Sequence, residues 1–183
     1  MITLQELKDF CSRKDMVIVG NSNCLLKNKN MGDFINSHSV VLRMNFGVPT
    51  KEYEQFVGTK THLWAMALKS KEKQLEYKRL FNPKYILWLT KDKSFISPEV
   101  TENLYKANDN FYIELQERLG WERPSTGCQV VYFCHTQLQP KSINIVGFDF
   151  FKSPDFFEKD INFAVHNNKI TKKLIIKLPA PRI

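Results

Sequence analysis

Three short polar turns carry the residue types that could do chemistry in this chain: Gly20-Asn21-Ser22, Arg43-Met44-Asn45 and Pro124-Ser125-Thr126-Gly127. Each adjoins an apolar run, at 16–19, 40–42 and 130–134. Asparagine, serine and threonine offer small neutral donors and acceptors, and glycine permits a close backbone approach. At the carboxyl ends of strands, or at the start of a helix, such turns suit a nucleotide with few charges. Helix N–H groups can then hold one phosphate without a metal. Taken singly, each turn also reads as an ordinary strand end followed by polar residues.

Other chemistries lack their residues. The dinucleotide fingerprint G-x-G-x-x-G is absent. Gly58-Thr59-Lys60-Thr61 mimics only the tail of a phosphate-binding loop, with no upstream glycine and one residue too many before the lysine. There is no Asp-x-Asp to hold a divalent metal on a donor diphosphate and no G-x-S-x-G elbow. Cys11, Cys24, Cys128 and Cys134 have neither C-x-x-C nor zinc-like spacing, so reduced thiols and no metal are expected.

The elements that must position these turns follow from periodicity. Thr3 to Glu6 forms a capping box for a helix running to about Arg13, with Leu4, Leu7 and Phe10 on one face. Strands are expected at 16–20, 39–45, 61–66, 84–89 and 142–147. Residues 21–30 read as a polar loop and 31–35 as a short helix or turn. A helix-like stretch opens at Pro49, and 70–81 reads as a helix. Ser97-Pro98-Glu99 opens a long helical region to Leu119, ended by Gly120. Residues 130–134 form a buried helix after the turn at 124–127. A last helix spans about 159–177, stopped by Pro179 and Pro181. Alternating strands and helices with continuous apolar runs predict an α/β fold, a mostly parallel sheet covered by helices on both faces. The length of 183 residues fits a single domain over 1–183.

Apolar residues make up 43% of the chain, enough for a sizeable core, and no run reaches the roughly 20 apolar residues of a membrane helix. The first residues show no signal-peptide pattern, so a cytoplasmic protein is expected. The net charge of +8 is mostly lysine and gathers late, at Lys169, Lys172, Lys173 and Lys177. A basic surface attracts nucleic acid, anionic lipid or a charged sugar nucleotide, or is simply a solvated lysine surface. No nucleic-acid motif supports the first, and peripheral contact with the inner face of a membrane is the weaker extension.

In the order Val19 to Ser22, Ser37 to Asn45 and Val57 to Thr61, the chain resembles the large sialylmotif of the sialyltransferases of glycosyltransferase family 29. Pro124-Ser125-Thr126-Gly127, with Val146-Gly147-Phe148 further on, is similar to the small sialylmotif. The resemblance implies a single Rossmann-like domain of a GT-A-like variant. It implies an inverting transfer of sialic acid from cytidine monophosphate (CMP)-sialic acid to a sugar hydroxyl, with no cofactor or metal. Asn21 and Asn45 would bind the ribose and phosphate of CMP, Ser125, Thr126 and Gly127 the nucleoside, and Ser22 is a further substrate-binding residue. The acceptor would be a glycan or glycolipid.

The chain also departs from that family. Met16 and Leu138 stand where animal members carry a disulfide pair, and Asn23-Cys24 where Gly-Asn is usual. The histidine-aromatic motif has no match within 150–157. Near the C-terminus His166 fits the family's histidine, but Thr171 stands where a glutamate follows it. His166 is the expected catalytic base, since imidazole titrates near neutrality. His38 and His62, beside strands, and His135, at the end of an apolar helix, read as structural.

The function expected is a CMP-sugar-dependent glycosyltransferase, using sialic acid or a related keto-acid sugar such as Kdo. A non-catalytic nucleotide-binding module and a ligand-free structural domain are the alternatives.

Overall fold

The computed structural model describes residues 1–149. Six parallel strands form one sheet: β1 (Asp15–Val19), β2 (Val40–Met44), β3 (Leu63–Ala65), β4 (Tyr85–Trp88), β5 (Leu104–Lys106) and β6 (Ser142–Val146). Their spatial order is β5-β4-β3-β2-β1-β6. The chain steps outward from β1 through β5, then returns to place β6 on the other side of β1. Successive connections therefore diverge at the β1/β6 boundary. In open α/β sheets that divergence, at the carboxyl ends of the strands, leaves the crevice where ligands bind.

Two helical layers cover the sheet. Helices α1 (Leu4–Cys11), α5 (Asp109–Arg118) and α6 (Thr126–Phe133) pack over Met16, Ile18, Leu42, Leu63 and Leu87. Helices α2 (Met31–Ser37), α3 (Glu54–Val57) and α4 (Lys71–Phe81) cover the opposite face, which divides into two clusters. One gathers around Trp64 and Trp88, the other around Val17, Val41 and Ile35. Arg43, on β2 and 1% exposed, shares that face with Val41.

The capping box at Thr3 and Glu6 is present in both directions, but α1 stops at Cys11, and Arg13 turns left-handed. The loop expected over 21–30 contains a 3-10 turn, Asn23–Lys27. Helix α4 runs to Phe81 and ends on the left-handed Asn82.

The long helix expected from Ser97 to Leu119 is not one element. A 3-10 turn (Pro98–Val100), the strand β5 and then α5 occupy it. Asn108 starts α5 anew by accepting from the Phe111 N–H, and β5 pairs with β4. Three residues, Leu104-Tyr105-Lys106, are too few to show a period, so pairing with β4 decides them. The run at 142–147 is consequently the sixth strand, not the fifth. After α6 the chain continues as a π-helix, Cys134–Leu138. The helix expected at 159–177 lies outside the described residues.

All four cysteines are free. Burial pushes the Cys11 and Cys128 thiols up to about 12, so they are not reactive thiolates near neutral pH. Met16 and Leu138 belong to one apolar cluster, under the helices of the first layer. Among the described residues, no helix is long and apolar enough to cross a membrane.

Candidate functional site

The strand β1 is buried from Met16 onward and delivers its carboxyl end directly against β6. There the Gly20 N–H donates to the Val146 carbonyl at 2.8 Å, and the Ser22 N–H to the Gly147 carbonyl at 3.1 Å. A Cβ on Gly20 would lie 2.2 Å from the Gly147 carbonyl oxygen and 2.7 Å from the Phe148 ring. Glycine is needed at position 20 because two backbones meet there. A Cβ on Gly127, at the start of α6, would likewise fall 2.7 Å from the same ring. Phe148 thus fills the space between two side-chain-free positions, one just after β1 and one in α6, and joins the two sequence motifs.

The asparagines bridge the rest. Asn21 donates from Nδ2 to the Met44 carbonyl at 3.3 Å, tying the β1 turn to the end of β2. Its Oδ1 lies against Gly47, where a Cβ would approach to 2.2 Å. Asn45 adopts a left-handed conformation, φ 48°, which asparagine tolerates better than most residues. Its Nδ2 donates to Thr126 Oγ1 at 3.2 Å, and its Oδ1 accepts from the Ala67 N–H at 3.1 Å. Its carbonyl accepts from the Trp64 indole at 2.9 Å. One residue, by its side chain and its carbonyl, therefore ties the end of β2 to β3, to the chain just after β3 and to α6.

Two of the six expected binding residues use their side chains as caps. Ser22, buried, accepts from the Cys24 N–H at 3.1 Å and starts the 3-10 turn. Ser125 accepts from the Cys128 N–H at 3.3 Å and starts α6. That cap aims the amino end of α6, with Thr126 and Gly127 in its first turn, at Asn45 and Phe148. The amino end of a helix carries partial positive charge and unpaired N–H groups, which suit an anionic group. Asn21, Asn45, Ser125, Thr126 and Gly127 are half-buried, so they remain partly accessible.

The histidines separate by position. His38 is buried, with Nδ1 at 2.8 Å from the Phe34 carbonyl and Nε2 at 2.9 Å from Asn144 Nδ2. Both contacts are satisfied by the tautomer that donates from Nδ1 and accepts at Nε2, which makes His38 a tie between α2 and β6. His62 accepts from the Val41 N–H at 3.0 Å. Burial, and then Lys60, Lys14 and Lys84, hold its pKa below the ordinary value. His135 is half-buried in the π-helix, not enclosed as its apolar neighbours imply. His166 lies outside the described residues, as do Thr171, the stretch 150–157 and the late lysines. Among the described residues, no group of three or more His, Cys, Asp or Glu could hold a metal ion.

Sequence reading brought out the three turns but missed what locks them together: Gly47, Trp64 and Ala67. Only Gly47 leaves a signal, standing two residues after Asn45 in Asn45-Phe46-Gly47.

Residues 8–97 match the sequence model of glycosyltransferase family 29 (sialyltransferase). Over 137 residues the chain is 28% identical to the CMP-N-acetylneuraminate-beta-1,4-galactoside alpha-2,3-sialyltransferase of mouse, and equally to that of human. The alignment covers 73% of this chain and 34% of each relative, so the chain spans about a third of the length of the curated relatives it matches. A mammalian sialyltransferase crystallised with Gal-beta-1-3GalNAc-ortho-nitrophenol superposes with a TM-score of 0.63 at 20% identity. That superposition covers 94% of this chain and 68% of the other. A second mammalian sialyltransferase structure gives 0.59 at 20% identity, over 89% and 64%. These likenesses show the fold, the Rossmann-like, GT-A-like arrangement expected from the sequence.

Proposed function

We propose, from the premise that this chain is a sialyltransferase-like protein of glycosyltransferase family 29, that it moves sialic acid from its CMP-linked donor to a glycan hydroxyl. A related keto-acid sugar such as Kdo is within the same reading, and the transfer inverts the anomeric centre without a metal. The observation that carries this is the convergence of Asn21, Asn45, Thr126 and Gly127 at the β1/β6 boundary, where the connections diverge, beside the amino end of α6. The relatives' names mention a beta-1,4-galactoside, and the acceptor in this reading is such a sugar on a glycan or glycolipid.

In this reading Asn21 and Asn45 bond the ribose and phosphate, and the first turn of α6 holds the nucleoside. The acceptor oxygen attacks the anomeric carbon opposite CMP. The bond from that carbon to the phosphate oxygen breaks, and its electron pair leaves with CMP. A base takes the acceptor's proton, and His166 is the proposed base. Fixed amide dipoles stabilise the negative charge that grows on the departing phosphate. The net charge of +8 favours approach of a donor that carries both a phosphate and a carboxylate.

Thermal unfolding with CMP and with AMP tests the nucleotide site. CMP at about 100 times its dissociation constant should add roughly 2.7 kcal/mol, AMP much less, and EDTA should not matter. Equal shifts with both nucleotides would sink a cytidine site. Incubation with CMP-sialic acid then tests catalysis: release of CMP marks an enzyme, while binding without release marks a non-catalytic module.

A further inference from the structure

We propose that Gln74 is a positioning residue for Asn45. From inside α4 it fixes the chain beyond β3 against which the Asn45 amide is oriented, and so governs the affinity for CMP without touching it. The inference rests on the nucleotide-site reading above and adds a residue on which that site depends.

Gln74 is 0% exposed. It lies one turn into α4, where its own N–H donates to the Ser70 carbonyl at 3.1 Å. A primary amide enclosed in this way costs free energy unless its polar atoms are paired. Both are paired here. Nε2 donates to the Leu68 carbonyl and to the Phe95 carbonyl, each at 2.7 Å, and Oε1 accepts from the Ser97 N–H at 2.8 Å. Two carbonyls and one N–H are what the two donors and the oxygen of a glutamine satisfy together. Leu68, with Phe95 and Ile96 packed nearby, belongs to the apolar cluster around Trp64 and Trp88. A methionine would fill the same space there, so packing alone does not account for the amide.

The bonded groups lie on two stretches that form neither helix nor strand, after β3 and after β4. Beyond β3, the Met66 N–H still donates to the Leu87 carbonyl at 3.0 Å, and Ser70 caps α4. Between those two anchors the backbone is held by side chains. Asn45 Oδ1 accepts from the Ala67 N–H, and Gln74 Nε2 donates to the carbonyl of the next residue, Leu68.

One run of bonds thus leads from Phe95 and Ser97 through Gln74 to Leu68 and Ala67, then to Asn45 and Thr126. The bond from Ala67 decides which way the Asn45 amide faces. It aims one Nδ2 N–H at Thr126 and leaves the other for a ligand. If the chain at 67–68 shifts, the amide turns with it, and both donors are misplaced. A binding group is held only as well as the residues that support it.

Gln74→Met keeps the volume and removes all three bonds. Calorimetry well below the melting temperature reads binding by folded protein alone. There Gln74→Met should bind CMP about fivefold more weakly. Arg43→Leu, also destabilised but through bonds to residues 57–61, should bind almost as the unaltered protein does. Without nucleotide, hydrogen exchange should show the Ala67 amide opening about tenfold faster in Gln74→Met, relative to the Met66 amide. Gln74→Glu makes the loss reversible. As the pH falls from about 8 to about 5.5 its buried carboxyl takes up a proton and can again donate to a carbonyl, so CMP affinity should recover relative to the unaltered protein at the same pH. Unchanged CMP affinity in Gln74→Met, an Ala67 amide no faster relative to Met66, an equal loss in Arg43→Leu, or a weakened Gln74→Glu that ignores pH would each overturn the positioning role while the CMP shift of the unaltered protein stands. Absence of that shift would overturn the nucleotide site, and the role of Gln74 with it.

Discussion

The turn after β1 and the turn after α3 use the same residue types and fold in opposite senses. At Gly20-Asn21-Ser22, glycine lets β1 meet the chain beyond β6, while Asn21 and Asn45 reach across to β2, β3 and α6 and stay half-buried. At Gly58-Thr59-Lys60, which leads into the amino end of β3, the polar groups turn inward. Asn36 Oδ1 accepts from the Thr59 and Lys60 N–H groups at 2.9 and 3.2 Å. Arg43 donates to the Val57 and Lys60 carbonyls and to Thr61 Oγ1, at 2.6, 3.0 and 3.1 Å. Its guanidinium is buried, with Nη1 lacking a hydrogen-bond partner among the described residues, and burial pushes its pKa down to about 9. The first turn leaves its amides at the carboxyl end of the sheet, and the second spends its donors on fixing the chain. A motif that spans both is therefore part candidate binding site and part buckle.

Substitutions can break this contrast, and the largest effect is expected at Gly20. A Cβ there meets a backbone carbonyl oxygen at 2.2 Å, which cannot swing away as a side chain would. Gly20→Ala should destabilise the protein by about 3 kcal/mol or more and abolish CMP binding, measured by denaturant unfolding and calorimetry. Full CMP affinity in that variant would detach the β1/β6 boundary from the site.

Arg43→Leu should cost about 2 to 3 kcal/mol. It orphans three acceptors at roughly 1 kcal/mol each, and removing an unpaired buried charge offsets part of the loss. Because the Arg43 side chain bonds to residues 57–61 and to none of the three turns, CMP affinity in the folded fraction should stay within about twofold, well under the tenfold that about 1.4 kcal/mol represents. A large drop in affinity would merge the two turns into one functional unit.

Asn45→Gly separates backbone from side chain. Glycine keeps the left-handed turn at no steric cost, while the Ala67 N–H loses its acceptor and Thr126 its partner. The expected outcome is a loss of about 1 to 2 kcal/mol of stability together with a clear part of the CMP thermal shift. Retention of the whole shift would make Asn45 a structural bracket only.

The smallest effect is electrostatic and lies on the buckle side. His62 is held neutral in the fold, so the unfolded chain takes up its proton first, near pH 6.5, and the folded chain only at lower pH. The unfolded state binds more protons in that window, so stability is full above it and falls as the pH drops through it. An asparagine in place of His62 can still accept from the Val41 N–H, so His62→Asn should flatten the decline in melting temperature between about pH 6.5 and 5. An unchanged slope would assign the decline to other groups.

Local chemistry made much of this legible in the sequence. Residues 16–19 of β1, 40–42 of β2 and the whole of β4 are continuous apolar runs, which only a sheet covered on both faces can bury. Thr3 with Glu6, and Gly120 after α5, mark helix ends through backbone groups a few residues apart. The three polar turns were recognisable because asparagine, glycine and serine are exceptional beside buried strands. What failed was non-local. Leu104-Tyr105-Lys106 is too short to carry a period, and β4 makes it a strand. Gly127 is bare because the Phe148 ring lies against it, and Gly20 because the Gly147 carbonyl and the same ring do, more than a hundred residues along the chain from Gly20. Composition and spacing determined an α/β chain with three candidate turns. The return of β6 to the far side of β1 decided that the turns meet, because hydrogen-bond pairing between distant strands is set by the packing of the whole sheet and leaves no mark on either strand alone.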